Sequence, residues 1–251
     1  MFEPKIDINT SIKDYNKKNI VERYVSLAED IGLWKSEEYV FERFVPKNSK
    51  ILDVGCGAGR TTVGLFKMGY KNIEGIDRSK NLLSHAKKLA KERNAQIKFY
   101  VDDALALDAQ NETFDAVLFS YNGLMTIPKF ENRLFAVSEI ARVLKPGGLF
   151  VFTTHDREDF EQDKNFWKEE KLRFENGTQD KRLIEFGDRI IEEANEELFI
   201  HIPNTKEVYA LLNDCGFDCI FTKMRWDICA TPEKEKELFG ECRFFVAKKR
   251  G

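Results

Sequence analysis

Lys50-Ile51-Leu52-Asp53-Val54-Gly55-Cys56-Gly57-Ala58-Gly59-Arg60 decides how this chain is read. An apolar run, Lys50–Val54, meets three glycines spaced two apart, and a helical pattern follows to Met68. Glycines between a strand and a helix permit a tight turn and let a ligand press against the backbone. The spacing is G-x-G-x-G. The dinucleotide fingerprint needs its third glycine one residue later, where Arg60 stands, so close contact by a ligand without a pyrophosphate becomes more plausible. A purely structural turn is the other reading of the loop.

Outward from the loop the chain alternates. Gly69 followed by Tyr70 marks a left-handed helix stop. Asn72–Ile76 reads as a second strand, and Leu82, Ala86, Leu89 and Ala90 mark the next helix. Gln96–Val101 is a third strand. Phe114–Ser120 is a fourth, nearly all apolar, as in a strand buried on both faces. Leu134, Val137, Ala141 and Leu144 line a helical face that Lys145-Pro146-Gly147-Gly148 stops, and Leu149–Thr154 is a fifth strand. Upstream, Asn19–Asp30 and Ser36–Val45 read as helices, the second ended by Pro46. The alternation predicts an α/β fold, a Rossmann-like and mostly parallel sheet with helices on both faces.

Asp156–Ile202 breaks the pattern. It holds 15 acidic and 8 basic residues, net −7, interleaved with Phe160, Phe166, Trp167, Phe174, Phe186 and Phe199. Leu183–Phe186, Arg189–Ile191 and Leu198–Ile202 read as short strands, with Gly187-Asp188 as a hairpin turn between the first two. The segment is expected to be an inserted lid whose aromatics form mainly its own core. Asn204 with Glu207 three residues on predicts a helix start. Asp218–Arg225 and Glu241–Lys248 close the chain as an antiparallel pair. The expected organisation is one domain, 1–251: an N-terminal helical cap (1–48), a cofactor-binding core (49–155), the lid (156–202) and a C-terminal helix with strands (203–251).

Composition bounds the rest. The chain has 251 residues and a formal net charge of −3, which argues against a large phosphate-binding face. No apolar run approaches the ~20 residues of a membrane span, and the first ten residues have no apolar signal core. A cytoplasmic chain is expected, with no membrane partner. Five cysteines lack metal-finger spacing and none pairs locally with one of the three histidines, so reduced thiols and no metal site are expected.

In such sheets ligands sit beyond the carboxyl ends of the strands. Asp77 stands there after the second strand, suited to a ribose or to capping the helix near Ser79. Asp102-Asp103-Ala104 follows the third strand, suited to an adenine edge or a plain turn. Ser120-Tyr121-Asn122-Gly123 follows the fourth strand and His155 the fifth.

Taken together, Asp53–Gly59, Asp77, Asp103-Ala104, Phe114-Asp115-Ala116-Val117 and Arg142–Gly148 resemble the class I S-adenosylmethionine-dependent methyltransferases in order and spacing, across about residues 50–155. The resemblance implies a seven-stranded sheet with an antiparallel last strand. It implies S-adenosyl-L-methionine as cofactor and S-adenosyl-L-homocysteine as product. Gly55, Cys56, Gly57 and Gly59 would approach the methionine end, and Asp53 would bond the loop backbone or the cofactor's amino group. Asp77 would hold the ribose, and Asp103 with Ala104 the adenine. Arg78 and Ser120 join them as cofactor contacts.

The place after the fourth strand lacks the prolines found in base-amine methyltransferases, and no cysteine follows a proline as cytosine-C5 enzymes require. Asp156, Glu158 and Asp159 read as a solvated helix start rather than a magnesium site. What remains is similar to the small-molecule methyltransferases, acting by in-line displacement. Tyr121 and His155 are the catalytic candidates, the first near the methyl, the second as a base, a substrate contact or a structural residue. His85 and His201 read as structural. The expected partner is a small-molecule acceptor, with no DNA; the acidic balance weighs against RNA, and monomer and homodimer both stay open. Alternatives are a tRNA or other RNA methyltransferase, a catalytically inactive binding protein of this fold, and a nicotinamide oxidoreductase.

Overall fold

The computed structural model describes residues 5–159 and 161–251. Three helices, α1 (Ile8–Tyr15), α2 (Lys18–Asp30) and α3 (Lys35–Phe44), precede β1 (Ile51–Val54). Then come α4 (Arg60–Lys67), β2 (Ile73–Asp77), α5 (Lys80–Glu92), β3 (Lys98–Val101), β4 (Phe114–Phe119), α6 (Phe130–Val143) and β5 (Leu144–Thr154). The insert carries α7 (Lys164–Glu175) and a hairpin of β6 (Asp188–Glu193) and β7 (Glu196–His201). After it follow α8 (Thr205–Asp214), β8 (Phe217–Met224), two short helices α9 (Arg225–Ile228) and α10 (Glu233–Leu238), and β9 (Arg243–Lys249).

Seven strands form one sheet in the order β3-β2-β1-β4-β5-β9-β8. The neighbours from β3 to β5 are parallel, and β9 runs antiparallel to both β5 and β8. The strand order reverses between β1 and β4, which opens a crevice at their carboxyl ends. Alternation along the strands sends side chains to two cores. Val117, Phe150, Phe152 and Phe245 pack with Ile140 and Leu211 on one face. Ala116, Leu118, Val151 and Phe244 pack with Trp34, Phe41 and Tyr70 on the other. The helix stop after α4 is as expected: Gly69 has φ +103°, and the Gly69 and Tyr70 N–H groups donate to the Phe66 and Leu65 carbonyls.

Several expectations need correction. The buried face of α6 is Arg133, Ala136, Val137, Ile140 and Val143, with Leu134 and Ala141 only half-buried. Leu144 already pairs with Phe114, so Lys145–Gly148 forms an irregular start to β5 rather than a separate stop. The hairpin turn is Ala194-Asn195, both left-handed at φ +51° and +62°, not Gly187-Asp188. Gly187 is needed because a Cβ there would lie 2.6 Å from the Ile202 carbonyl. Leu183–Phe186 is a turn, its Ile184 and Glu185 N–H groups held by the Asp188 carboxylate. Asp156 and Asp159 are not a solvated helix start; they pair with Arg243 of β9.

Candidate functional site

β1 delivers the glycine loop to the crevice. A Cβ on Gly55 would lie 2.8 Å from the Phe119 ring, and one on Gly59 3.1 Å from the Ala86 Cβ. The first glycine lets the loop pass the end of β4, and the third lets α4 pack against α5. Asp77 fastens the loop from the side. Its Oδ2 accepts from the Gly57 N–H at 2.9 Å and its Oδ1 from the Ser79 N–H at 2.7 Å. Burial pushes its carboxyl above the usual range, while these two N–H groups pull the other way. Ser79, not Asp77, caps α5.

One cavity, about 920 Å³ of space open in part to solvent, lies above this frame. That is the size range of small-molecule sites, ~300–1,000 Å³. Gly55, Gly57, Asp77 and Arg78 line it from β1 and β2, Asp103 and Ala104 from β3, Ser120 and Tyr121 from β4. Asp103 is held by the Leu105 N–H at 3.0 Å and faces Arg78 at 3.5 Å.

The other candidates lie elsewhere. Asp53 is buried beneath the loop, but its Oδ2 accepts from the Thr61 and Thr62 hydroxyls of α4 at 2.5 and 2.6 Å, not from loop backbone. Burial raises its carboxyl to about 7, against the pull of those hydroxyls. Cys56 is buried and does not line the cavity; its sulfur packs against β2, where a Cβ on Gly75 would meet it at 2.9 Å. Gly59 caps α4 and does not line the cavity.

His155 is not in the cavity wall either. Its Nδ1 lies 2.8 Å from the Glu241 carbonyl, which can only accept, so Nδ1 carries the proton. Nε2 then accepts from Asn122 Nδ2 at 2.9 Å. Burial lowers its pKa, against the pull of the Glu241 carbonyl. A base needs a free lone pair facing substrate, and both ring nitrogens are engaged. Tyr121 does reach the cavity. It and Asn122 are consecutive left-handed residues, φ +51° and +59°, held by the Asn122 N–H bond to Thr153. The Tyr121 hydroxyl faces Glu193 at 3.5 Å, and burial followed by that carboxylate raises its pKa well above the usual phenol value.

The resemblance to small-molecule methyltransferases implied that the N-terminal helices cover the acceptor, but sequence reasoning named none of the residues that do so. Ser11 and Tyr15 of α1, Asn16, and Tyr24 of α2 line the cavity together with Phe119, Thr126 and Ile127, and the Ser11 hydroxyl donates to the Thr126 carbonyl at 3.0 Å. Tyr24 lies 6.0 Å from Tyr15 and 5.8 Å from Tyr121, ring centre to centre. The insert's hairpin tip ties these helices down through Glu196 to Lys17 at 3.0 Å and Glu193 to Arg23 at 3.6 Å. No motif marks those positions; amphipathic helical spacing was the one local signal. None of the described insert aromatics lines the cavity. Trp167 contacts Phe166 and Phe186, and Phe174 contacts Phe186. Phe160 lies outside the described residues.

Away from the cavity, Glu185, Asp188 and His201 bring ligand-type atoms within 4.8 Å of one another. Their carboxylates are spent on Arg133, on His201 and on the Phe130, Ile184 and Glu185 N–H groups. His201 is thus a buried structural residue, while His85 is half-buried on α5. No helix among the described residues is long and apolar enough to cross a membrane.

Residues 51–148 match a family model described as a methyltransferase domain. A demethylmenaquinone methyltransferase of Bacillus licheniformis is 38% identical over 109 residues, 43% of this chain and 45% of that protein. The chain spans about half the length of the curated relatives it matches. Among solved structures, a SAM-dependent methyltransferase from Methanosarcina mazei superimposes with TM-score 0.69 at 20% identity, over 88% of this chain and 99% of that one. A [4+2]-cyclase gives TM-score 0.69 at 18% identity, over 100% and 99%. These structural likenesses establish the fold.

Proposed function

We propose that the chain, whose residues 51–148 match a methyltransferase-domain family model, binds S-adenosylmethionine and transfers its methyl group to a small-molecule acceptor by in-line displacement. The observation that carries this reading is a single cavity shared by Gly55, Gly57, Asp77, Asp103, Ala104 and Ser120, at the carboxyl ends of four adjacent parallel strands.

The residues fit that cofactor. A carboxylate has about four lone-pair sites. Asp77 spends two on the N–H groups of Gly57 and Ser79, leaving two for ribose hydroxyls. Gly57 keeps the loop open, since the nearest atom to a Cβ there is the Tyr24 ring at 3.8 Å. Asp103 and Ala104, in the same cavity wall, would hold the adenine edge. When bound, the cofactor supplies an activated methyl on its sulfonium. The chain's part is to hold acceptor and donor in line and exclude water. Tyr15, Tyr24 and Tyr121 form the aromatic side of the cavity and wall the acceptor. Tyr121 keeps its phenolic proton and acts as a wall and hydrogen-bonding group, and this reading assigns no general base. A compact aromatic acceptor suits such walls and agrees with the quinone acceptor for which the Bacillus relative is named.

Calorimetric titration with S-adenosylmethionine, S-adenosylhomocysteine and NADH tests the cofactor. Binding of the first two and not the third is expected. Binding of NADH alone would overturn the reading.

A further inference from the structure

Glu37 of α3 is fully buried, and its carboxylate is saturated. Oε2 accepts from the Trp34 N–H at 2.8 Å and Arg60 Nη1 at 2.7 Å. Oε1 accepts from Arg60 Nη2 at 2.7 Å and from the Ser120 hydroxyl. Arg60 is buried as well; it stacks 4.5 Å above the Trp34 ring and also donates to the Gly32 carbonyl. A two-point ion pair of this kind has one geometry.

Ser120 is where this pair meets the cavity. A hydroxyl has one proton and two lone pairs. The proton is committed to Glu37, and one lone pair faces Arg60 Nη2 at 3.3 Å. What Ser120 offers a ligand is one lone pair and no proton. It can therefore receive an N–H donor but cannot serve a carboxylate oxygen. Its chain neighbour Phe119 packs against Gly55, and Ser120 and Gly55 line the same cavity.

We propose that Glu37 and Arg60 are positioning residues that lock Ser120 as a pure acceptor, and that Ser120 receives a hydrogen bond from the ammonium of the cofactor's amino-acid end. This rests on the cofactor reading above. The ion pair is neutral as a unit, so it fixes the hydroxyl without adding net charge against the ammonium.

The test is calorimetric titration of the full chain with S-adenosylhomocysteine and with its analogue lacking the α-amino group. Ser120→Ala is expected to weaken S-adenosylhomocysteine about 10-fold or more, the range for a hydrogen bond to a charged group, and to leave the analogue within about twofold. Glu37→Gln is expected to show the same selectivity and to add nothing in the Ser120→Ala background. Should Glu37→Gln fail to fold, Glu37→Asp, which keeps the charge but draws the carboxylate back from Ser120, is read in its place, with the same selectivity expected and no selectivity overturning the positioning role. Equal losses for both ligands, or no loss for either, would overturn the inference while leaving the cofactor reading intact. Failure of the unaltered chain to bind S-adenosylhomocysteine would overturn both.

Discussion

Asp77 carries two duties on one carboxylate, tying Gly57 to the start of α5 while lining the cavity. Asp77→Ala should weaken S-adenosylmethionine binding by about 1.5–3 kcal/mol, the cost of lost charge-assisted hydrogen bonds, with folding largely spared. An unchanged affinity in a titration would remove Asp77 from the site. Asp53 makes a different prediction. Its carboxyl is raised to about 7 by burial, whereas an unfolded aspartate titrates near ~3.9. The folded state thus holds the proton more tightly. Its favourable contribution is complete below about pH 4 and is lost as the pH rises through about 7. Asp53→Asn keeps an oxygen for Thr61 and Thr62 but cannot ionise. Its melting temperature should therefore rise relative to the unaltered chain between about pH 4 and about pH 7 and level off above that. A difference that stays constant with pH would show that Asp53 does not titrate in that window.

Among the elements, those with a local signature were legible in the sequence. The α4 stop could be read from Gly69-Tyr70, the α8 start from Asn204 and Glu207, and β4 from its unbroken apolar run, because each depends on neighbours within a few residues. The misses follow from the opposite condition. Ala194-Asn195 turns the β6–β7 hairpin without the glycine such turns favour, so the glycine at 187 drew the expectation instead. The ion pair of Glu37 with Arg60 spans 23 residues, and Tyr15 and Tyr24 reach the cavity only through tertiary packing. Placing Tyr121 and His155 both at the rim followed from strand ends alone, and only Tyr121 faces the cavity. The hairpin itself is testable. Ala194 sits in the left-handed region that penalises a Cβ, so Ala194→Gly should stabilise the chain by about 0.5–1 kcal/mol in urea unfolding. A loss of stability would mean that the turn adopts another conformation in solution.

At the scale of the whole molecule, net charge is −3, and the 156–202 insert is more acidic still. A polynucleotide partner would call for several cations beside the site, and the cavity wall includes one, Arg78. Total tRNA and single-stranded DNA should therefore leave the chain's mobility unchanged in low-salt electrophoresis. The fold is shared by methyltransferases and by a cyclase, so architecture alone does not establish group transfer. The central claim is that a methyl group moves from S-adenosylmethionine to a small molecule. Its most direct test is incubation of the chain with methyl-labelled S-adenosylmethionine and a cell extract split by size. The account predicts label in the low-mass fraction, dependent on the chain and lost with Asp77→Ala. Label in a ribonuclease-sensitive fraction, or no chain-dependent transfer at all, would contradict it.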